Sequence, residues 1–205
     1  MDVDEAFATF IEAVAPLGED YQHDAGRALP ERWIDAYETK NKRGGAYCTG
    51  GAYWTTPYVL LNHKKTYDGL STLCHEMGHA MHSFYSNANQ PSAKADYTIF
   101  VAEVASTCNE ILCIHTLRKK YAGNKAAQMA LIGRMLEGFR TTVFRQAMFA
   151  EFEMKAHALA EQGEALDAET LNHLYLELIR EYFGEDLVID DEVKYDWARI
   201  PHLYM

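Results

Sequence analysis

Between Asp4 and Val14 the apolar residues Phe7, Phe10, Ile11 and Val14 fall three and four apart, the period of an amphipathic helix. The texture changes between Arg43 and Asn62, where "RGGAYCTGGAYWTTPYVLLN" gathers glycine pairs, aromatics and β-branched residues into short runs. That pattern predicts strand, turn, strand. Helical spacing resumes after Thr66-Tyr67-Asp68, with Asp68 as the expected N-cap, and dominates to about Glu185. Within that region Asn124 to Gln162 reads as one long helix, its apolar positions running from Met129 through Phe139 and Phe144 to Phe152. A bend is expected near Gly138 or the pair Thr141-Thr142. A last helix is predicted near Ala168 to Phe183, before the chain ends in "DWARIPHLYM". The expected fold class is mainly α with one small β-hairpin.

Composition narrows the function classes. The 205 residues show no repeat, low-complexity tract or linker, so one domain or part of a larger one is expected. With 48% hydrophobic and 24% charged residues, the chain has ample material for a core. The formal net charge is −11, and lysine and arginine gather only in short runs such as "KNKR" and "RKK". A field of that sign repels phosphate backbones, so no nucleic-acid partner is expected. The start, Met1-Asp2-Val3-Asp4-Glu5, is acidic where a secretion signal is basic, and no apolar run nears the ~20 residues that span a bilayer. Cys48, Cys74, Cys108 and Cys113 form no CxxC pair, and they read as reduced, mostly buried thiols. A cytoplasmic protein without membrane contacts is the expectation.

The segment "TLCHEMGHAMHSFYS" places His75, Glu76, His79 and His82 within eight consecutive positions. On a helix, residues four apart stack on one face, so His75 and His79 can reach one ion at ~2.0–2.1 Å. Glu76 borders that face and can hold a metal-bound water without ligating the ion. His82 lies roughly 10 Å along the axis from His75, too far to share the ion, and reads as a neighbour of the site or a core histidine. The extended pattern HExxHxxGxxH is excluded, because position 82 is histidine and position 85 is tyrosine. A carboxylate on a following helix remains, and "IFVAEVASTCNEIL" offers Glu103 and, seven residues on, Glu110. Both could instead pair with arginines in a plain bundle. A di-iron bundle would need a second ExxH motif, and the chain has none.

With those residues in view, "CHEMGHAMHSFYS" followed by "FVAEVASTCNE" resembles the oligoendopeptidase F branch of the thimet-oligopeptidase-like zinc metallopeptidases. The likeness extends to "RWIDAYETKNKRGGAY", "PYVLLN", "FRTTVFRQAMFAEFE", "YFGED" and "WARIPH". It implies a zincin-like catalytic domain, with HExxH on a central helix and the third ligand on the following helix. It also implies one Zn²⁺ per chain held by His75, His79 and Glu103, with Glu76 as base to the zinc-bound water. His202 and Tyr204 would match the family's C-terminal group that steadies the transition state. The substrates implied are short peptides. Gly44 and Gly45 lack side chains, so a peptide backbone could approach Gly45 and pair along Ala46 and Tyr47.

Proteins of that family are much longer, so residues 1–205 are expected to be part of a catalytic domain. The N-terminal lobe and the end of the family fold would be absent. Two other readings follow: a catalytically incomplete fragment that self-associates through uncovered surface, or a zinc-binding scaffold without turnover. Three protein ligands with an open fourth position favour catalysis over a closed structural site.

Overall fold

Asp2 opens the first helix by a reciprocal cap: its carboxylate accepts from the Glu5 N–H at 3.0 Å, and the Glu5 carboxylate accepts from the Asp2 N–H at 3.2 Å. The computed structural model describes residues 1–50, 52–184 and 186–204, with the side chains of His202 and Tyr204 outside that description. Helix α1, Val3–Ala13, buries Val3, Ala6, Phe7, Phe10 and Ala13. Helix α2, Glu19–Gly26, follows a 3₁₀ turn and has no counterpart in the sequence expectations, because its residues are mostly polar and only Ala25 is buried.

The expected hairpin forms, with an addition. Strand β2, Tyr47–Thr49, runs antiparallel to β3, Tyr58–Leu60, with Cys48 opposite Val59. A two-residue strand, β1, Ile34–Asp35, lies parallel to the other side of β3, giving the order β1-β3-β2. Two residues are too few to show an alternating pattern, so β1 is silent in the sequence. The order leaves β2 at an edge of the sheet.

Helix α3, Tyr67–Asn89, is the central element and packs against α1, β2, β3 and α4. Its N-cap is Thr66 rather than Asp68: Thr66 has extended backbone and its hydroxyl accepts from the Gly69 N–H at 3.3 Å. Asp68 sits inside the first turn, where its charge still favours the helix N-terminus. Leu70, Leu73, Cys74, Met77, Ala80 and Met81 bury one stripe. Helix α4, Ile99–Lys120, packs along α3, burying Ala102, Ser106, Cys113, Ile114 and Leu117. Of the four thiols, Cys74 and Cys113 are buried, Cys48 is half-buried and Cys108 is exposed, so the expectation of mostly buried thiols holds for only part of the set.

Gly78 sets the spacing of α3 and α4. A Cβ there would stand 2.5 Å from Ser106 Cα and 2.7 Å from the Ala105 carbonyl oxygen, both backbone atoms that cannot rotate away. Gly78→Ala should therefore push the helices apart and cost about 2–3 kcal/mol, near the upper end for overpacking. Denaturant unfolding checks this, and an unchanged midpoint would show that the helix pair has slack.

The chain divides into two compact units, Met1–Leu131 and Ile132–Met205. Helix α5, Lys125–Phe139, leads into a π-helical turn, Arg140–Phe144, and helix α6, Arg145–Glu161. The irregularity expected near Thr141-Thr142 is thus a π turn, within which the Thr141 hydroxyl donates to the Glu137 carbonyl at 2.8 Å. In the second unit, α6 and helix α7, Ala168–Phe183, enclose Met148, Phe149, Phe152, Tyr175, Leu178 and Ile179. Trp197 packs on that core and donates its indole N–H to Asn172 at 2.8 Å, so the aromatic ending has a local role.

Candidate metal centre

One turn of α3 brings the His75 and His79 rings edge to face, with centroids 4.8 Å apart and planes at 84°. Their Nε2 atoms are 3.2 Å apart. Glu103, on the first turns of α4, extends Oε2 to 3.3 Å from His75 Nε2 and 3.5 Å from His79 Nε2. Two donors held ~2.05 Å from one ion at the tetrahedral angle stand about 3.3 Å apart. The triangle of donor atoms has close to that edge length on all three sides.

The protonation pattern supports the same fit. His75 Nδ1 lies 2.7 Å from Glu110 Oε1, a carboxylate that can only accept when ionised. Nδ1 therefore carries a proton, which leaves Nε2, facing Glu103 Oε2, as the ring nitrogen that can ligate. With Nε2 unprotonated, two acceptors face one another at 3.3 Å, a pair that a bound cation satisfies. An imidazole pair with one carboxylate is a donor set that suits zinc.

Each donor has a holder. The hydroxyl of Ser106, fully buried beneath Gly78, donates to Glu103 Oε2 at 2.7 Å. Glu110 is fixed on its far side by the Ser71 hydroxyl at 2.8 Å. The close helix contact at Gly78 thereby reaches the site through Ser106 and Glu103. Of the two carboxylates open in the sequence, Glu103 faces both Nε2 atoms and Glu110 faces Nδ1 of His75. The sequence reading missed Ser106 and Ser71, although Ser106 at i+3 from Glu103 was a readable signal.

Glu76 is buried, with 7% of its surface exposed. Burial pushes its pKa up, the His75 charge opposes this, and the Glu103 and Glu110 charges add to the rise. The backbone of Cys48 bonds to it, tying Glu76 to β2. Burial lowers the pKa of His79, against the charge of Glu103. For His75 burial also pulls down, but the hydrogen bond and charge of Glu110, with Glu76 and Glu103, carry it net upward.

Ala46 lies in a cavity shared with His75, Glu76 and Glu110, at the entry to β2. Gly45 has φ +89°, a conformation that side chains resist, and the Asn62 amide clamps the carbonyls of Arg43 and Gly45 at 2.9 and 2.8 Å. Tyr47 is half-exposed on the edge strand. His82 stands apart from the donor cluster, stacked on Tyr97 at 3.7 Å. The side chains of His202 and Tyr204, the remaining candidates, lie outside the described residues.

Comparison with known proteins identifies the family. Residues 7–205 match Peptidase family M3. Oligopeptidase PepF of Bacillus subtilis (strain 168) is 47% identical over 201 residues, covering 98% of this chain and 30% of the relative. Group B oligopeptidase PepB of Streptococcus agalactiae is 45% identical, covering 98% of this chain and 33% of the relative. Among solved structures, a putative peptidase from Chlamydophila abortus superposes with a TM-score of 0.81 at 39% identity, over 98% of this chain and 34% of the other. PZ peptidase A with inhibitor 2 shares the fold, with a TM-score of 0.73 at 20% identity, over 100% of this chain and 36% of the other. The chain spans about a third of the length of the curated relatives it matches. The resemblance read in the motifs and the match across nearly the whole sequence agree, and the chain belongs to peptidase family M3.

Proposed function

We propose that residues 1–205 are part of the catalytic domain of a zinc-dependent oligopeptidase. In this reading His75, His79 and Glu103 hold one Zn²⁺ and Glu76 serves as general base. The observation that carries it is the triangle of donor atoms with edges of 3.2, 3.3 and 3.5 Å. Zinc, when bound, polarises a peptide carbonyl and acidifies water towards neutral pH.

The protein's own groups supply the rest. Glu76 takes a proton from the water that adds to the scissile carbonyl carbon. It then returns that proton to the amine as the C–N bond breaks. A carboxylate whose pKa is raised by burial suits both halves of that exchange. The open edge of β2 would receive the substrate backbone as an added strand, with Gly45 allowing close approach and Ala46 and Tyr47 offering main-chain groups. His202 and Tyr204 would donate to the developing oxyanion. Peptide hydrolysis should disappear from a mixed short-peptide pool on chelation and return with added zinc. Turnover that survives full removal of the metal would overturn the reading.

Glu110 acts through His75, as a positioning residue. Glu110→Gln keeps its size but weakens the charge-assisted bond to Nδ1, and zinc affinity should fall about 10- to 100-fold. Competition against a chelator of known affinity measures this, and unaltered affinity would leave Glu110 as packing only.

One observation favours the second reading, an incomplete unit that binds zinc without efficient turnover. At the start of α4, beside Glu103, Ile99 is 80% and Phe100 86% exposed. An apolar patch so near the metal donors is surface that further chain, or a second copy of this one, would cover. Cysteines free of disulfides among the described residues fit a reducing compartment, which supports a cytoplasmic setting.

A further inference from the structure

On the side of the donor triangle formed by His79 and Glu103, away from Ala46, a cavity of 420 Å³ opens between α3, the loop before α4 and the segment after β2. Its walls include Tyr53, Asn87, Asp96 and Tyr97. Tyr97 is held rigidly: its ring stacks on His82 and its hydroxyl lies 2.7 Å from Ser83 Oγ. Tyr53 is fixed by donation from its hydroxyl to the Gln90 carbonyl at 2.7 Å. Asp96 uses Oδ1 to accept from the Tyr97 N–H at 3.0 Å, and among the described residues no cation pairs with it. Among the described residues no lysine or arginine lines the cavity, and Lys94, two residues from Asp96, is not part of the wall. The cavity is large enough for a long side chain, has two fixed aromatic walls, and carries negative charge at Asp96 without a counter-ion.

We propose that this cavity is a specificity subsite for a substrate residue flanking the scissile bond, and that it prefers a lysine or arginine side chain held by Asp96 and the faces of Tyr53 and Tyr97. The proposal rests on the peptidase reading for the position of the scissile bond, and adds to it the class of side chain selected. A long aliphatic stem fits along the aromatic walls while the cation reaches the carboxylate. An acidic residue there would face Asp96 without a partner, so the same wall rejects glutamate.

The test uses the zinc-loaded chain carrying Glu76→Gln, so that peptides stay intact during titration. Blocked alanine-rich heptapeptides with one central Lys, Gln or Glu are compared by calorimetry. The Lys peptide should bind about tenfold more tightly than the Gln peptide, combining an ion pair to the exposed Asp96 with a cation–π contact. The Glu peptide should bind most weakly. Adding Asp96→Asn should bring the Lys/Gln ratio close to one while leaving the Gln peptide unchanged, because asparagine still accepts from the Tyr97 N–H. Glu38→Gln, an exposed charge removed elsewhere, controls for the overall acidic field. A Lys/Gln ratio near one at the outset, a ratio indifferent to Asp96→Asn, or an equal fall with Glu38→Gln would overturn the proposal. Digestion by the wild-type chain separates the two levels. Peptides that bind with this ranking but are never cut refute the peptidase reading and leave the subsite standing, whereas cutting without lysine preference refutes the subsite alone.

Discussion

Replacing Glu103 by alanine should reduce zinc affinity by more than ~10²-fold, beyond the range seen when only an outer partner of a ligand is lost. The carboxylate supplies one of three donor atoms and the only negative charge aimed at both Nε2 atoms among the described residues. Its removal leaves two imidazoles and no anionic donor. The apo fold should tolerate the change, because the Glu103 side chain is half exposed and its charge repels that of Glu76. Elemental analysis after gel filtration, together with a melt of the metal-free protein, separates the two effects. The expected result is stoichiometric zinc in the parent, little in the variant, and apo melting curves that nearly coincide. Retention equal to the parent would remove Glu103 from the ligand set. A larger loss with Glu110→Gln than with Glu103→Ala would exchange the two assignments.

That pair of carboxylates shows where the sequence stopped being legible. The spacing of His75 and His79 announces its own geometry, because a helix has one way to place residues four apart. Glu103 and Glu110 are seven apart on another helix, and both return to one face. Which of them reaches the imidazole Nε2 atoms depends on how α4 lies along α3, and that is set by the absence of a Cβ at Gly78 against Ser106 and Ala105. Long periodic helices such as α3, α4 and α7 were visible as runs of apolar positions. The short elements were not: α2 buries a single alanine and β1 has two residues, so each exists through neighbours distant in sequence. The Asp68 cap failed for a local reason, since Thr66 offers an equally good oxygen two residues earlier on extended backbone. The wall containing Asp96 and Tyr97 carries no motif, and its character comes from which residues it lacks.

Glu76→Gln should leave zinc in place and lower peptide hydrolysis by ~10²-fold or more, the range for loss of a general base. Glutamine matches glutamate in size, and its carbonyl oxygen can still accept from the backbone of Cys48, so the contact between α3 and β2 persists. Burial raises the pKa of Glu76, so a neutral amide at that position removes a desolvation cost and should not destabilise the fold. The amide cannot accept a proton from water or return one to the amine. The loss should therefore appear in kcat with KM little changed, because positioning of the peptide along β2 does not depend on that proton. Three readouts on one preparation decide the matter: zinc per chain, the melting midpoint, and kcat/KM for a short peptide. Zinc retained with turnover lost places the proton transfer at Glu76. Turnover equal to the parent would exclude it from the mechanism, and zinc lost together with turnover would make it a ligand rather than a base.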